Sequence, residues 1–133
     1  MSWRCEPGRF ALVGFAGPPD AADLAQLAPP AQLIHEVDET TMLVREEQLA
    51  ALLARRPAAR VERELVWIRF DAPMAWDVVG FLARVTGALA AAGVPLGAVC
   101  GYSRDHLFVA ERWLAPATRA LGRLLPRGTG DPA

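Results

Sequence analysis

The sequence predicts an α+β fold built from two similar halves. Three observations predict it. Strand-type alternation with period two, clearest in Leu65–Phe70, is interleaved with helix-type spacing such as Val78, Leu82, Val85 and Leu89. The order strand, short helix, strand, strand, helix runs from residue 9 and returns after residue 64. Val44, Glu46, Leu49 and Ala50 stand against Val109, Glu111, Leu114 and Ala115, each pair 65 residues apart, and Met42-Leu43 against Leu107-Phe108 at the same offset. The opening strands, near Phe10 and Val66, are 56 apart, and a longer first helix in the second half supplies the difference.

Each element has a local reason. Arg9–Ala16 is an apolar run stopped by Gly17-Pro18-Pro19, which reads as a buried strand. Asp20 is a candidate N-cap for one or two helical turns that end before Pro29-Pro30. Gln32–Val37 and Thr40–Val44 read as strands around an Asp38-Glu39 turn. Arg45–Arg55 reads as a helix, with Glu46 and Glu47 in its first turn, Arg55 and Arg56 at its end, and Leu49, Leu52 and Leu53 as its stripe. Val61–Phe70 follows as a strand, with Val66, Ile68 and Phe70 on one face and Leu65, Trp67 and Arg69 on the other. Trp76–Ala92 is expected as the longest helix, closed by Gly93 and Pro95. Leu96–Tyr102 and Asp105–Ala110 read as strands joined at Ser103-Arg104, and Glu111–Leu125 as a last helix that starts near Ala115 or kinks at Pro116. Pro126–Ala133 reads as a frayed tail.

Composition narrows the chemistry. The chain has 133 residues, 53% apolar and 22% charged, enough for one compact domain or two very small ones without a disulfide or metal. A net charge of −1 argues against nucleic-acid binding by bulk charge. All 14 basic residues are Arg, which excludes Schiff-base or P-loop lysine chemistry. Cys5, Cys100, His35 and His106 have no metal-ligand spacing, so no metal is expected. Two cysteines in a chain that can build its own core read as reduced thiols, and the N-terminal residues carry no apolar signal region. Val85–Cys100, the longest apolar stretch, is too short and too broken by Gly and Pro to span a bilayer. A cytoplasmic protein with no membrane partner is expected.

No catalytic constellation is visible. Cys100 lies mid-strand and reads as a small apolar residue. Asp105 and His106 are consecutive on a strand and point to opposite faces. Asp38-Glu39 and Glu46-Glu47 read as a turn and a helix start. Arg55, Arg56, Arg60 and Arg63 are interleaved with Glu62 and Glu64, as on a solvated surface. Gly14-Phe-Ala-Gly17 lacks the spacing of a phosphate loop.

Three segments carry a resemblance. Phe70-Asp-Ala-Pro-Met-Ala-Trp-Asp-Val-Val-Gly80, Ala90-Ala-Ala-Gly-Val-Pro95, and Tyr102-Ser-Arg-Asp-His-Leu-Phe-Val109 with Glu111 resemble an ACT domain over residues 64–122. The nearest branch is that of tandem ACT proteins related to aspartate-kinase regulatory domains and CASTOR-like amino-acid sensors. The first half, Phe10–Arg55, resembles it mainly in Glu39–Glu46. The resemblance implies two ferredoxin-like (βαββαβ, ACT-type) repeats with antiparallel sheets and helices on one face. Their expected bounds are 1–60 and 61–125, with 126–133 as a flexible tail. No last strand follows the final helix, so the second repeat is expected to take one from elsewhere.

The resemblance also implies a ligand site for a small amino acid, enclosed by a neighbouring unit. Its residues are Met74, Ala75, Trp76, Asp77 and Gly80 from the loop after the strand, Cys100, Gly101, Tyr102 and Ser103 from the next strand and turn, and Asp105 for the ligand's amino group. Free N–H groups at the start of a helix 76–92 suit a carboxylate, with Asp77 competing for the same end. The plain alternatives are an ordinary strand–helix turn and a turn Asp bonding its own backbone. Thr40, the counterpart of Asp105, is uncharged, so an asymmetric site is expected.

The functional expectation is a non-catalytic, cofactor-free regulatory protein that binds an amino acid at an ACT–ACT interface, as a homodimer. The alternative is an interaction module that dimerises without a ligand, with Trp67, Trp76 and Tyr102 as anchors. An enzyme is the least supported reading.

Overall fold

Two hydrophobic clusters, each made by one sheet face and the helices above it, organise the chain. The structure, a computed structural model, describes residues 1–71 and 73–128. The chain forms two compact units, one of Gly8–Leu65 and a second of Met1–Pro7 with Val66 onward. Each unit is an antiparallel sheet with two helices on one face, the ferredoxin-like α+β arrangement expected.

In the Gly8–Leu65 unit, β2 (Phe10–Ala16) lies beside β4 (Glu39–Arg45), with β3 (Gln32–His35) outside β4 and the first part of β5 (Arg60–Phe70) on the other side of β2. Helix α1 spans Ala21–Leu24 and α2 spans Glu46–Arg55. Alternation decides which side chains go inside. Ala11, Val13, Phe15, Met42 and Val44 face Leu49 and Leu52 of α2 in one buried cluster. Arg45 ends β4 in extended backbone, and the Glu46 N–H donates to the Arg9 carbonyl at 3.0 Å, so strand passes into helix without a loop. Glu64 has φ 58°, and its N–H donates to Glu46 Oε1 at 2.7 Å.

A four-residue helix is too short to hold itself. Here α1 is held by charge. Asp20 and Asp23 form a reciprocal cap, each side chain accepting from the other's backbone N–H at 2.9 and 2.8 Å. Asp23 is fully buried and accepts from Arg55 at 2.8 Å and Arg56 at 2.6 Å, while Arg56 also stacks over Phe15. Burial alone raises the Asp23 carboxyl. The bonds from Arg56, the Asp20 N–H and Arg55 outweigh it and hold the group well below the usual carboxylate range.

In the second unit the expected missing strand is found at the other end of the sequence. Strand β1 (Trp3–Cys5) pairs antiparallel with Ile68–Phe70 of β5. The sheet order is then β1, β5, β7 (Asp105–Ala110), β6 (Gly97–Cys100). Three residues are too few to show alternation in the sequence, yet Trp3 and Cys5 point into the core and Arg4 points away. The outer end of the pair is tied by Ser2 and Arg4, which reach Asp71 at 2.8 and 3.1 Å. Helices α3 (Phe81–Ala91) and α4 (Leu114–Leu124) cover the face made by Trp3, Val66, Ile68, Phe70, Leu107 and Val109. A 3-10 turn, Glu111–Trp113, precedes α4, and Pro116 falls in the first turn of α4, where its missing N–H costs nothing.

Three expectations are corrected. Residues Met1–Pro7 belong with the second unit rather than with a repeat over 1–60, because β1 is part of its sheet. The tail expected over 126–133 is partly structured: Trp3 donates to the Pro126 carbonyl at 3.2 Å, Gly128 donates to the Trp3 carbonyl at 2.7 Å, and Arg127 lies over the Trp3 ring. Residues 129–133 lie outside the described residues. Helix α3 starts at Phe81, not Trp76. Gly80 caps it with φ +87°, a left-handed conformation that a continuing helix does not contain. The spacing that suggested an earlier start is real only from Val85 and Leu89, which are buried, whereas Val78 and Leu82 are exposed.

Two outcomes are expected from this packing. Trp3→Ala should lower unfolding free energy by about 3–5 kcal/mol in urea, while Tyr102→Ala at an exposed site changes it by less than about 0.5 kcal/mol. Asp23→Asn should cost about 1.5–3 kcal/mol at neutral pH. Because the native carboxyl is depressed, this contribution is complete above about pH 4 and is lost as pH falls further, so the gap between wild type and variant should narrow in acid.

Candidate functional site

The second unit carries a groove where a loop and a turn meet. Among the described residues between β5 and α3 there is no helix or strand, and between β6 and β7 the chain turns at Gly101–Arg104. One backbone bond joins the two segments: the Met74 N–H donates to the Ser103 carbonyl at 2.7 Å. The turn is closed by the Gly101 N–H donating to the Arg104 carbonyl at 2.8 Å. A Cβ on Gly101 would sit 3.2 Å from that carbonyl and 3.1 Å from His106 Nε2, so a side chain here would press on the turn.

The groove has a volume of about 260 Å³, and seven of the ten expected residues line it: Met74, Ala75, Trp76, Cys100, Gly101, Tyr102 and Asp105. Ser103 lines an adjoining hollow of about 440 Å³ that shares Met74, Trp76 and Tyr102. Asp77 and Gly80 line neither, because the helix they were expected to begin starts after them. The loop after β5 therefore gives the groove side chains of its own, and the first turn of α3 adds Leu82. Trp76 does not cover the core edge. It is 86% exposed, and Tyr102 is 98% exposed, so two aromatic rings stand at the groove in solvent.

Three residues of the lining were not anticipated: Val78, Leu82 and Arg104. The spacing had assigned Val78 and Leu82 to a buried helix face. Arg104 reads in the sequence only as a turn residue, and no spacing marks it. The residue is half-buried, its Nε is buried without a hydrogen-bond acceptor, and among the described residues no carboxylate pairs with it. Asp105, its neighbour, is also half-buried and likewise has no side-chain partner among them.

Behind the turn, on the other sheet face, the Trp67 indole N–H donates to His106 Nδ1 at 3.0 Å and the rings meet edge-on. Trp67 is only 4% exposed, which removes it as an interface anchor. Accepting at Nδ1 requires an imidazole without a proton there. Burial, then the charges of Arg69 and Arg104, push the His106 pKa down. Cys5 is buried, and Cys100 is exposed in the groove. Among the described residues no group of three or more His, Cys, Asp or Glu can hold a metal, and no helix is long and apolar enough to cross a membrane.

Residues 60–123 match the family model of the ACT domain. The match spans β5 through most of α4 and thus contains the whole groove. Solved structures agree in fold. Protein Atu0741 from Agobacterium tumefaciens superposes with a TM-score of 0.79 at 16% identity, covering 99% of this chain and 96% of that one. VC0802 from Vibrio cholerae, a protein of unknown function, gives 0.67 at 22% identity, covering 92% and 88%. The ligand-free regulatory subunit of aspartate kinase from Thermus thermophilus gives 0.65 at 14% identity, covering 92% and 96%. At these identities the likeness is one of fold. No curated protein sequence matches the chain.

In the ACT-like unit, the His106 arrangement predicts a pH response. A depressed imidazole contributes stability above the usual value of 6.5, and that contribution is lost as pH falls below it. By NMR, His106 should titrate below 6.5, and the Trp67 indole proton should shift with the same midpoint. A midpoint at or above 6.5 would count against the assigned bond.

Proposed function

We propose that the protein is a non-catalytic regulatory module of the tandem ACT type, related to the CASTOR-like branch, which binds an amino acid in the groove between the Met74–Trp76 loop and the Gly101–Asp105 turn. The observation that carries this reading is the convergence of loop, turn and Asp105 on one small cavity inside the segment that matches the ACT domain. A carboxylate beside a ligand ammonium makes a charge-assisted hydrogen bond, which suits Asp105 to the amino group. The lining is mostly apolar with a few polar groups, which is the composition of a small-molecule binding site.

The groove is open on the side of Trp76 and Tyr102, and Val78, Val79 and Leu82 extend the exposed apolar surface. Such a patch on one rim of a site is the mark of a partner surface. In this reading a second copy of the chain closes it, so that binding and dimerisation are linked and the ligand shifts the packing of the pair. The N-terminal repeat, with Thr40 buried and bonded to the Gly17 carbonyl where the other unit has Asp105, provides no matching charge, and one groove per chain is used. Neither nucleic acid nor membrane is part of the reading. A chain with two cysteines and a core of its own suits the cytoplasm.

A thermal-shift and calorimetric screen of the twenty amino acids tests this. A ligand at a hundred times its Kd should stabilise the protein by about 2.7 kcal/mol, and Asp105→Ala should weaken binding at least about tenfold. Sedimentation should show the dimer favoured by the same ligand. A flat screen with a stable dimer would establish the ligand-free interaction module instead.

A further inference from the structure

Two opposite charges line the groove without being spent on each other. Arg104 and Asp105 are consecutive, both half-buried, both on the groove wall, and no ion pair joins them. An unpartnered guanidinium with a buried, unbonded Nε is costly to maintain, and burial of that kind is normally repaid by an anion. The rest of the lining, from Met74 and Trp76 to Leu82, Cys100 and Tyr102, contributes no Arg, Asp or Glu. The charged lining is therefore one cation and one anion, and each has a single function to perform.

Resting on the amino-acid reading, we infer that Arg104 binds the ligand's carboxylate while Asp105 takes its ammonium, and that the ligand is an α-amino acid with an apolar side chain. A guanidinium presents two N–H groups that match the two oxygens of a carboxylate, so Arg104 is suited to that end of a zwitterion as no other lining residue is. With both charges used by the backbone groups of the ligand, nothing in the lining is left to pair with a third. The side chain must then lie on the apolar wall of Met74, Trp76 and Leu82. A lysine or aspartate ligand would bring an additional charge into the groove with no partner for it, a selection by rejection as much as by attraction. The carboxylate assignment gives Arg104 the role that the sequence suggested for a helix start at residue 76, where the structure has loop.

Calorimetry on the full chain separates this from the broader reading. Leucine, phenylalanine, lysine and aspartate are compared first, then leucine against isoamylamine, which keeps the side chain and amine and lacks the carboxylate. Leucine or phenylalanine should bind at least about tenfold tighter than lysine or aspartate, and isoamylamine should bind roughly tenfold to a hundredfold weaker than leucine. In Arg104→Gln the leucine-to-isoamylamine ratio should fall to within about threefold, while Arg104→Lys keeps part of it. That ratio reports on the carboxylate contact itself and does not move with a general loosening of the turn, which thermal melts of both variants would show separately. If lysine or aspartate binds tightest, or if Arg104→Gln leaves the ratio unchanged, the inference is overturned while the amino-acid reading stands. If none of the twenty amino acids binds, both fall together.

Discussion

The C-terminal unit closes its sheet with a strand brought from the opposite end of the chain, and the rest of its architecture follows from that. Strand β5 is flanked by β7 on one side and needs a partner on the other. Trp3–Cys5 supplies it, and in doing so places an indole in the middle of the core under α3 and α4. The same pairing ties Asp71, at the end of β5, to Ser2 and Arg4. The loop that carries Met74 and Trp76 leaves from that anchored point. The near end of the groove is thus held by residues far from it in sequence, and its far end by the backbone bond between Met74 and Ser103.

A groove built this way has rigid ends and an open side. The walls nearest the core, Cys100, Gly101 and Asp105, belong to a paired strand ladder and its turn, with Cys100 directly opposite Asp105. The outer wall is loop and solvent. Rigid walls preorganise polar contacts, whereas exposed rings such as Trp76 and Tyr102 have area to lose when something covers them. Arg104 joins the two properties. Its backbone carbonyl closes the turn, the residue lines the groove, and its charge also reaches His106.

Much of the fold was legible in residue patterns. Strands β2, β4, β5 and β7 and helix α2 declared themselves through alternation and stripe, and the Asp20 cap was visible because Asp is a strong N-cap residue. Two elements were not. Strand β1 is too short to establish a period, and Trp3 alone does not distinguish a core residue from a surface one. Helix α3 was drawn too long because Val78 and Leu82 continue the spacing of Val85 and Leu89, while Gly80 interrupts the backbone that the spacing assumes. Most of the groove residues were named through a family likeness rather than through spacing, since loop and turn are brought together by a backbone hydrogen bond that leaves no side-chain signature. Arg104 carried no signal of any kind, because its significance lies in what it lacks, a partner.

Strand β1 is synthesised well before the strand it pairs with. Between it and its partner strand lies the whole of the Gly8–Leu65 unit, which has its own buried cluster. During translation that inner unit can acquire its core while Trp3 and Cys5 wait, uncovered, for residues not yet made. Closure over so long a separation in sequence is entropically slow, and the waiting segment is an aggregation risk until it occurs.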